Sequence, residues 1–513
     1  IGTSEFEMFI KNNKLLDVIV NETNFENIKK AFITSKLSPA LIKKLRSLLL
    51  KLTTPIAIRS SGLFEDSITQ PFAGIFETYL LPNSHDDFEI RFQQTLDAIK
   101  LVYASVYSTT AKGYVKAINY NIEDERMAVI IQEAVGNRFE NQYYPHISGV
   151  AQSYNYYPFS HMKPEEGFAV AAVGLGRYVV EGQKAYRFSP KYPGTEINSP
   201  KDQFKNSQVK FYSIDLARKN INLLEGEMAG LSYDDIYEAE RHGTLKHCAS
   251  VYNADSDTIY PGITKPGPRI TNFANILKHN YIPLASTLNL VLNLGRDAMG
   301  SPIEIEYAVD LNKDKNGKAS FYILQIKPLI SSGMICNIDM SEVNKEELIL
   351  YSEKGMGNGL IDDIYDVIYV DIDKFDKTKT EEMAAEIEAL NNYMISQNRK
   401  YVLIGPGRWG TRDKWIGIPV NWYQISNARV IVETSLDDFP LDASSGSHFF
   451  HNVTSMNVGY FTVQQELKKC FIRYEELKKQ KSVKEGKFFN IASFKKPLTI
   501  KMDGRKRIYI IHL

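Results

Sequence analysis

Five stretches of this 513-residue chain hold side chains whose types and spacing suit phosphate chemistry. The sharpest is a pair of apolar runs, 303–309 and 321–326. The first carries Glu304 and Glu306, and the second leads through Gln325 to Lys327. Residues two apart in a strand share a face, so the two carboxylates point the same way. Side by side they repel unless a cation lies between them. Mg²⁺ takes hard oxygen ligands and shares them with substrate phosphates, and Lys327 adds a positive charge for the same phosphates. The competing reading is a solvated strand face of alternating charge. The neighbouring Ile303, Ile305, Ile323 and Ile326 argue instead for a partly buried strand pair.

The second stretch is Arg59-Ser60-Ser61, followed by Glu65-Asp66. A guanidinium among small residues offers phosphate oxygens a planar fork of donors; an Arg–Glu surface pair in a turn would read the same. The third is Gly174-Leu175-Gly176 with Gly182 beyond. Glycines admit close backbone approach to a phosphate, but this is neither a Walker A pattern nor a full GxGxxG, and a tight turn also accounts for it. The fourth is Ser444-Ser445-Gly446-Ser447-His448, with His451 after it. A neutral imidazole set among small residues can attack a phosphoryl group, although most histidines are structural. The fifth, Gly405 to Gly410 with Arg408 and Arg412, suits either an anion or a tight connection.

These residues need elements to hold them. Ser38-Pro39 is a helix start, with Ser as cap and Pro at the first helical position, and Leu41, Leu45, Leu48 and Leu49 follow at helical spacing. Pro55 to Ile58 predicts a short strand that runs into a polar turn from Arg59 to Gly62, and Phe76 to Leu80 predicts another strand. Phe88, Phe92, Ile99, Val102 and Val106 mark a long amphipathic helix. Met127 to Ile131 and Phe168 to Val173 are buried strands, and a helix from about residue 283 ends at Gly300. The loop Asp310 to Ser320 joins the two acidic and basic runs as a hairpin. Ser331-Ser332-Gly333 is the expected boundary. Beyond it, strands at 364–370, 401–404 and 429–432 and a helix opened by a Thr378/Glu381 capping box suggest an open α/β layer.

Lys+Arg and Asp+Glu both number 61, so net charge is zero, which argues against general nucleic-acid binding and against a polybasic membrane surface. No apolar stretch is long enough to span a bilayer. Three scattered cysteines, Cys248, Cys336 and Cys470, fit reduced thiols and a cytoplasmic location. The first residues have no signal-peptide layout. The chain opens on Ile1 rather than Met and is read as a fragment or processed product.

Several blocks together resemble the nucleotide-binding domain of phosphoenolpyruvate synthase and pyruvate phosphate dikinase. They are Ala57 to Ser61, Phe72 to Tyr79, Met127-Ala128-Val129, Ser148-Gly149-Val150, Gly174 to Gly176 with Val179 to Gly182, Glu304 to Tyr307, and Leu324 to Pro328, in that order. The resemblance implies an α+β chain. Residues 1–330 would form an ATP-grasp domain whose two lobes clamp ATP and Mg²⁺, and 335–513 a smaller α/β domain. Ser352 to Gly359 is similar to the start of the family's swivelling phosphohistidine domain. The implied ATP site uses Arg59, Gly174, Gly176, Glu304, Gln325 and Lys327, with Glu304 and Glu306 on the metal and His448 as candidate acceptor.

Three departures accompany the resemblance. No Gly-Gly-Lys turn is present, lysine stands at 327 where the family usually has arginine, and the pyruvate-binding barrel is not recognisable. The implied function is an ATP- and Mg²⁺-dependent phosphotransferase module, incomplete for phosphoenolpyruvate synthesis. Its acceptor would be a histidine in this chain or on a partner protein, or a small molecule. The alternative is a degenerate ATP-binding sensor or scaffold.

Overall fold

The computed structural model describes the chain except residues 63–74, 118–121, 123–124, 156–161, 197–198, 330–337, 342, 358, 412–413, 437–438, 440, 442–457, 465–468 and 504–505. The fold is mixed α/β. Helices Thr3–Asn12, Phe25–Thr34, Pro39–Leu49 and Phe88–Ser105 bury Phe6, Phe9, Phe32, Leu45 and Ile99 together. The Ser38 hydroxyl accepts from the Leu41 N–H at 3.1 Å, so the expected helix start is realised. Three antiparallel strands lie beside them, with Ile56–Gly62 between Tyr79–Leu81 and Met127–Glu133.

Two expectations change here. Strand Ile56–Gly62 does not turn at Arg59, because every residue to Gly62 finds a backbone partner on Met127–Glu133. Ladder hydrogen bonds outweigh the weak strand propensity of serine and glycine. The strand expected from Phe76 is only Tyr79–Leu81.

A five-stranded antiparallel sheet follows, in the order Ser320–Pro328, Ile303–Asp310, Ile147–Gln152, Phe168–Ala172, Tyr186–Phe188. Helix Leu284–Met299 packs on it and ends at Gly300, whose φ of +65° is the left-handed cap that glycine tolerates. Ile303 and Ile305 are buried as expected. Ile323 and Ile326 are not, at 51% and 43% exposed, because their strand is the sheet edge.

A ten-stranded sheet occupies the rest of the chain, and among the described residues every strand in it comes from 348–512. Four neighbours run parallel: Gly359–Val370, Tyr401–Pro406, Ala428–Thr434 and Gly459–Val463. Helix Thr380–Ser396 makes the first crossover, as parallel pairing requires. The Thr378/Glu381 capping box is not formed. Thr378 donates to Asp376 instead, and the α-helix starts at Thr380.

This sheet does not stand apart. Met383, Ile387, Trp422 and Ile425 belong to the same continuous apolar core as Phe6 and Ile99. Cys248 and Cys470 are buried free thiols, and Cys336 lies outside the described residues. Among the described residues no helix is long and apolar enough to cross a membrane.

Candidate active site

The site starts from alternation along one strand. Ile303, Ile305, Tyr307 and Val309 all point into the core. The pleat therefore sends Glu304, Glu306 and Ala308 to the opposite face. Register sets Glu304 across from Lys327 and Glu306 across from Gln325. A bulge then skips Leu324, so that Tyr307 pairs with Ile323. Such a bulge re-aims side chains locally, and Leu324, Gln325 and Lys327 all reach one cleft.

Arg59 reaches that cleft from the other sheet. Its Nη2 donates to Gln325 Oε1 at 2.7 Å, bridging 266 residues of sequence, and Nη1 donates to Gln132 Oε1 at 3.4 Å. Glu306 Oε1 is 3.6 Å from Lys327 Nζ, with both side chains mostly covered. The cleft, about 620 Å³, is lined by Arg59, Gln132, Glu306, Gln325 and Lys327 together.

Glu304 sits deeper, 2% exposed and outside the cleft lining. Burial pushes its carboxyl up to about 7. The Lys327 charge and a 2.6 Å hydrogen bond from Gln152 Nε2 oppose the rise, and the Glu306 charge adds to it. A carboxyl so poised gains most from a cation brought close.

The two glycines differ in role. Gly174 has φ +88°, and a Cβ there would come 2.7 Å from the Tyr212 carbonyl oxygen. Its own carbonyl accepts from Ser148 Oγ at 2.7 Å. It is a structural turn residue and does not line the cleft. Gly176 does line it, and its carbonyl accepts from the Val179 and Val180 N–H groups of the short helix Arg177–Val180. From that helix Arg177 also faces the cleft, its Nε 2.7 Å from Glu181 and its Nη1 3.1 Å from Glu227. Burial alone would lower the Arg177 guanidinium. The carboxylates of Glu227 and Glu181 outweigh it and hold the group above its ordinary value.

Within the Gly405–Gly410 stretch, Gly407 and Arg408 serve a tight connection, while Gly410 lines the cleft. Gly407 has φ +69°, and a Cβ there would strike the Phe439 ring. Arg408 is buried, with Nη1 3.4 Å from the Gly182 carbonyl. Beneath it Glu433 accepts from the Trp409 N–H at 3.0 Å and from the Tyr460 hydroxyl. Burial pushes the Glu433 carboxyl up to about 7, against these bonds and the Arg408 charge. Arg412, His448 and His451 lie outside the described residues.

Apart from Gly410, which ends the fifth stretch, sequence reasoning missed one whole wall of the cleft. Gly410, Thr411 and residues 419–423 line it, although the strands that carry Arg59 and Gln325 lie far away in sequence. None of them carries a charge, and burial holds the Tyr423 hydroxyl above its ordinary value, so no chemical signal marked residues 419–423. Gln132, next to Arg59, was detectable only as a polar residue ending an apolar run.

The family model of the pyruvate phosphate dikinase AMP/ATP-binding domain matches residues 1–347, about two thirds of the chain and every cleft residue from Ala57 to Lys327. The chain belongs to this family. It is similar to an uncharacterized phosphotransferase, YvkC, of Bacillus subtilis, 30% identical over 185 residues, which are 36% of this chain and 19% of that protein. It is also similar to a phosphoenolpyruvate synthase of Aeropyrum pernix, 27% identical over 166 residues, 31% of this chain and 18% of that protein. The chain thus matches less than a fifth of the length of these curated relatives. Family and relatives together support an ATP-binding module of phosphotransfer type.

Proposed function

We propose that the chain is an ATP- and Mg²⁺-dependent phosphotransferase module, with residues 1–330 as an ATP-grasp unit clamping the nucleotide and 335–513 as a second unit. One observation carries this reading: Arg59, Glu306, Gln325 and Lys327, from three strands of two sheets, line a single cleft within the matched family region.

In this reading Arg59 donates to phosphate oxygens, with Gln325 and Gln132 fixing the guanidinium plane. Lys327 neutralises charge from the neighbouring strand. Fixed donors aimed at developing charge are the main source of catalysis in phosphoryl transfer.

Glu306 and Glu304 fit a Mg²⁺ ion by donor chemistry, two carboxylates on one strand face. Among the described residues no group of three or more His, Cys, Asp or Glu side chains is placed to hold a metal. Mg²⁺ ordinarily needs only one or two protein carboxylates, the rest of its shell being water and phosphate. Bound there, the ion would neutralise phosphate charge and hold the phosphates in line. Gly176 would bring backbone close to the nucleotide; Gly174 supports that turn. The acceptor is a histidine, with His448 the candidate in this chain, or a group on a partner or small molecule.

The test is incubation with β- or γ-labelled ATP and Mg²⁺. Wild type should release ADP or AMP only with the metal, and Glu306→Ala should abolish release while its circular dichroism stays unchanged. Full turnover in that variant would remove the assigned site. ATP bound by wild type without any product would leave a nucleotide sensor instead.

A further inference from the structure

The wall contributed by Gly410, Thr411 and residues 419–423 differs from the strands that carry Arg59, Glu306 and Lys327. Among the described residues, those of this wall that line the cleft carry no charged side chain, whereas strands Ile56–Gly62, Ile303–Asp310 and Ser320–Pro328 supply Arg59, Glu306 and Lys327. It ends in the turn Trp422–Ile425.

That turn is held from several sides. The Asn421 N–H donates to Gln424 Oε1 at 2.7 Å, and Gln424 Nε2 donates to Glu388 Oε2 at 2.8 Å on helix Thr380–Ser396. Asn391 Nδ2 of the same helix donates to the Tyr423 carbonyl at 3.3 Å. Trp422 and Ile425 join the core shared with the N-terminal helices. The Tyr423 ring lies against Gly113 of helix Thr109–Ala117 so closely that a Cβ on Gly113 would come within 2.9 Å of it.

We propose that the Trp422–Tyr423 turn is a specificity-determining wall of the cleft, receiving the nucleoside end of the nucleotide while the strands carrying Arg59, Glu306 and Lys327 receive its phosphates. The inference rests on the nucleotide-binding reading above. Its physical ground is the division of chemistry across the cleft. Triphosphate charge needs Arg59 and Lys327, and an uncharged aromatic wall offers a base stacking and apolar contact instead. A wall embedded in the common core is positioned before ligand arrives, which reduces the ordering cost of binding.

Two probes separate the halves of the ligand: Mg-ATP, and Mg-tripolyphosphate, which has the charge but no nucleoside. Calorimetric titration of the full chain should show Trp422→Ala weakening Mg-ATP by at least about fivefold while leaving Mg-tripolyphosphate unchanged. Lys327→Met should weaken both. Trp422 is largely buried, so Gly113→Val serves as a second variant: it displaces the Tyr423 ring without altering a lining side chain, and should reproduce the selective loss. Equal loss of both probes in folded variants, or loss of neither, would overturn the proposal and leave nucleotide binding intact. Failure of wild type to bind either probe would remove the nucleotide reading, and this inference with it.

Discussion

The two walls of the cleft are built on opposite plans. On one side, strands Ile56–Gly62, Ile303–Asp310 and Ser320–Pro328 present charged and amide side chains that pair with each other across sheets. On the other, a loop after Tyr401–Pro406 presents small, apolar and aromatic side chains pinned by packing and backbone hydrogen bonds. Charge on a strand is cheap to position, because the ladder sets spacing and face. An aromatic turn has no such ruler, and it needs a core behind it. In this chain that core joins the N-terminal helices to the last sheet.

The comparison breaks most visibly on the charged side. Arg59→Ala should lower ATP turnover by about 10²–10³-fold, the usual consequence of deleting one preorganised phosphate or oxyanion donor. Thermal melting should move little, because Arg59 is only partly buried. Lys327→Met should cause a loss of the same order, whereas Lys327→Arg should retain most activity because the charge is kept. Turnover of Arg59→Ala within a few-fold of wild type would show that the charged wall does not touch the reacting phosphates.

The next effect lies behind the uncharged wall. Burial carries the Glu433 carboxyl from its ordinary 4.5 to about 7. Between those values the folded state binds more protons than the unfolded one. Stability from this group is therefore fullest below the lower value and declines as pH rises through the upper one. The span is worth roughly 3 kcal/mol. Glu433→Gln does not titrate, so urea denaturation should show the variant gaining by about that amount on wild type from about pH 5 to pH 8. A constant difference across pH would mean that Glu433 stays ionised beside Arg408.

A smaller effect sharpens the contrast between the walls. Trp422→Leu should raise KM for ATP about fivefold with kcat nearly unchanged, the signature of binding that is equal in ground and transition states. A drop in kcat instead would place the turn against the reacting phosphates. The smallest effect is expected at Gln152→Leu, which deletes the bond that holds the Glu304 carboxyl down. The acid limb of Mg²⁺-dependent ATP binding should then move to higher pH, by less than about one unit. Movement to lower pH would contradict the assigned direction.

Much of the charged wall was legible before any coordinates. Period-two spacing put Glu304 and Glu306 on one face, and the Asp310–Ser320 loop paired them with Gln325 and Lys327. Gly300 ended its helix and Ser38 capped another for local reasons that a few residues carry. The same local logic misjudged Arg59 to Gly62, a turn by composition, because the partner strand is more than sixty residues away in sequence. It also treated the glutamates alike. The tertiary structure separated them, leaving Glu306 in the cleft and Glu304 beneath it with a shifted carboxyl.

By itself, then, the order of residues determined which side chains could handle phosphate, which strands would carry them and on which face. Those choices depend on the short-range geometry of the backbone. Only the tertiary structure decided that Arg59 meets Gln325, that Glu304 loses water, and that Trp422 and Tyr423 line the cleft. Desolvation and packing depend on neighbours brought together from distant parts of the chain, and no local spacing encodes them.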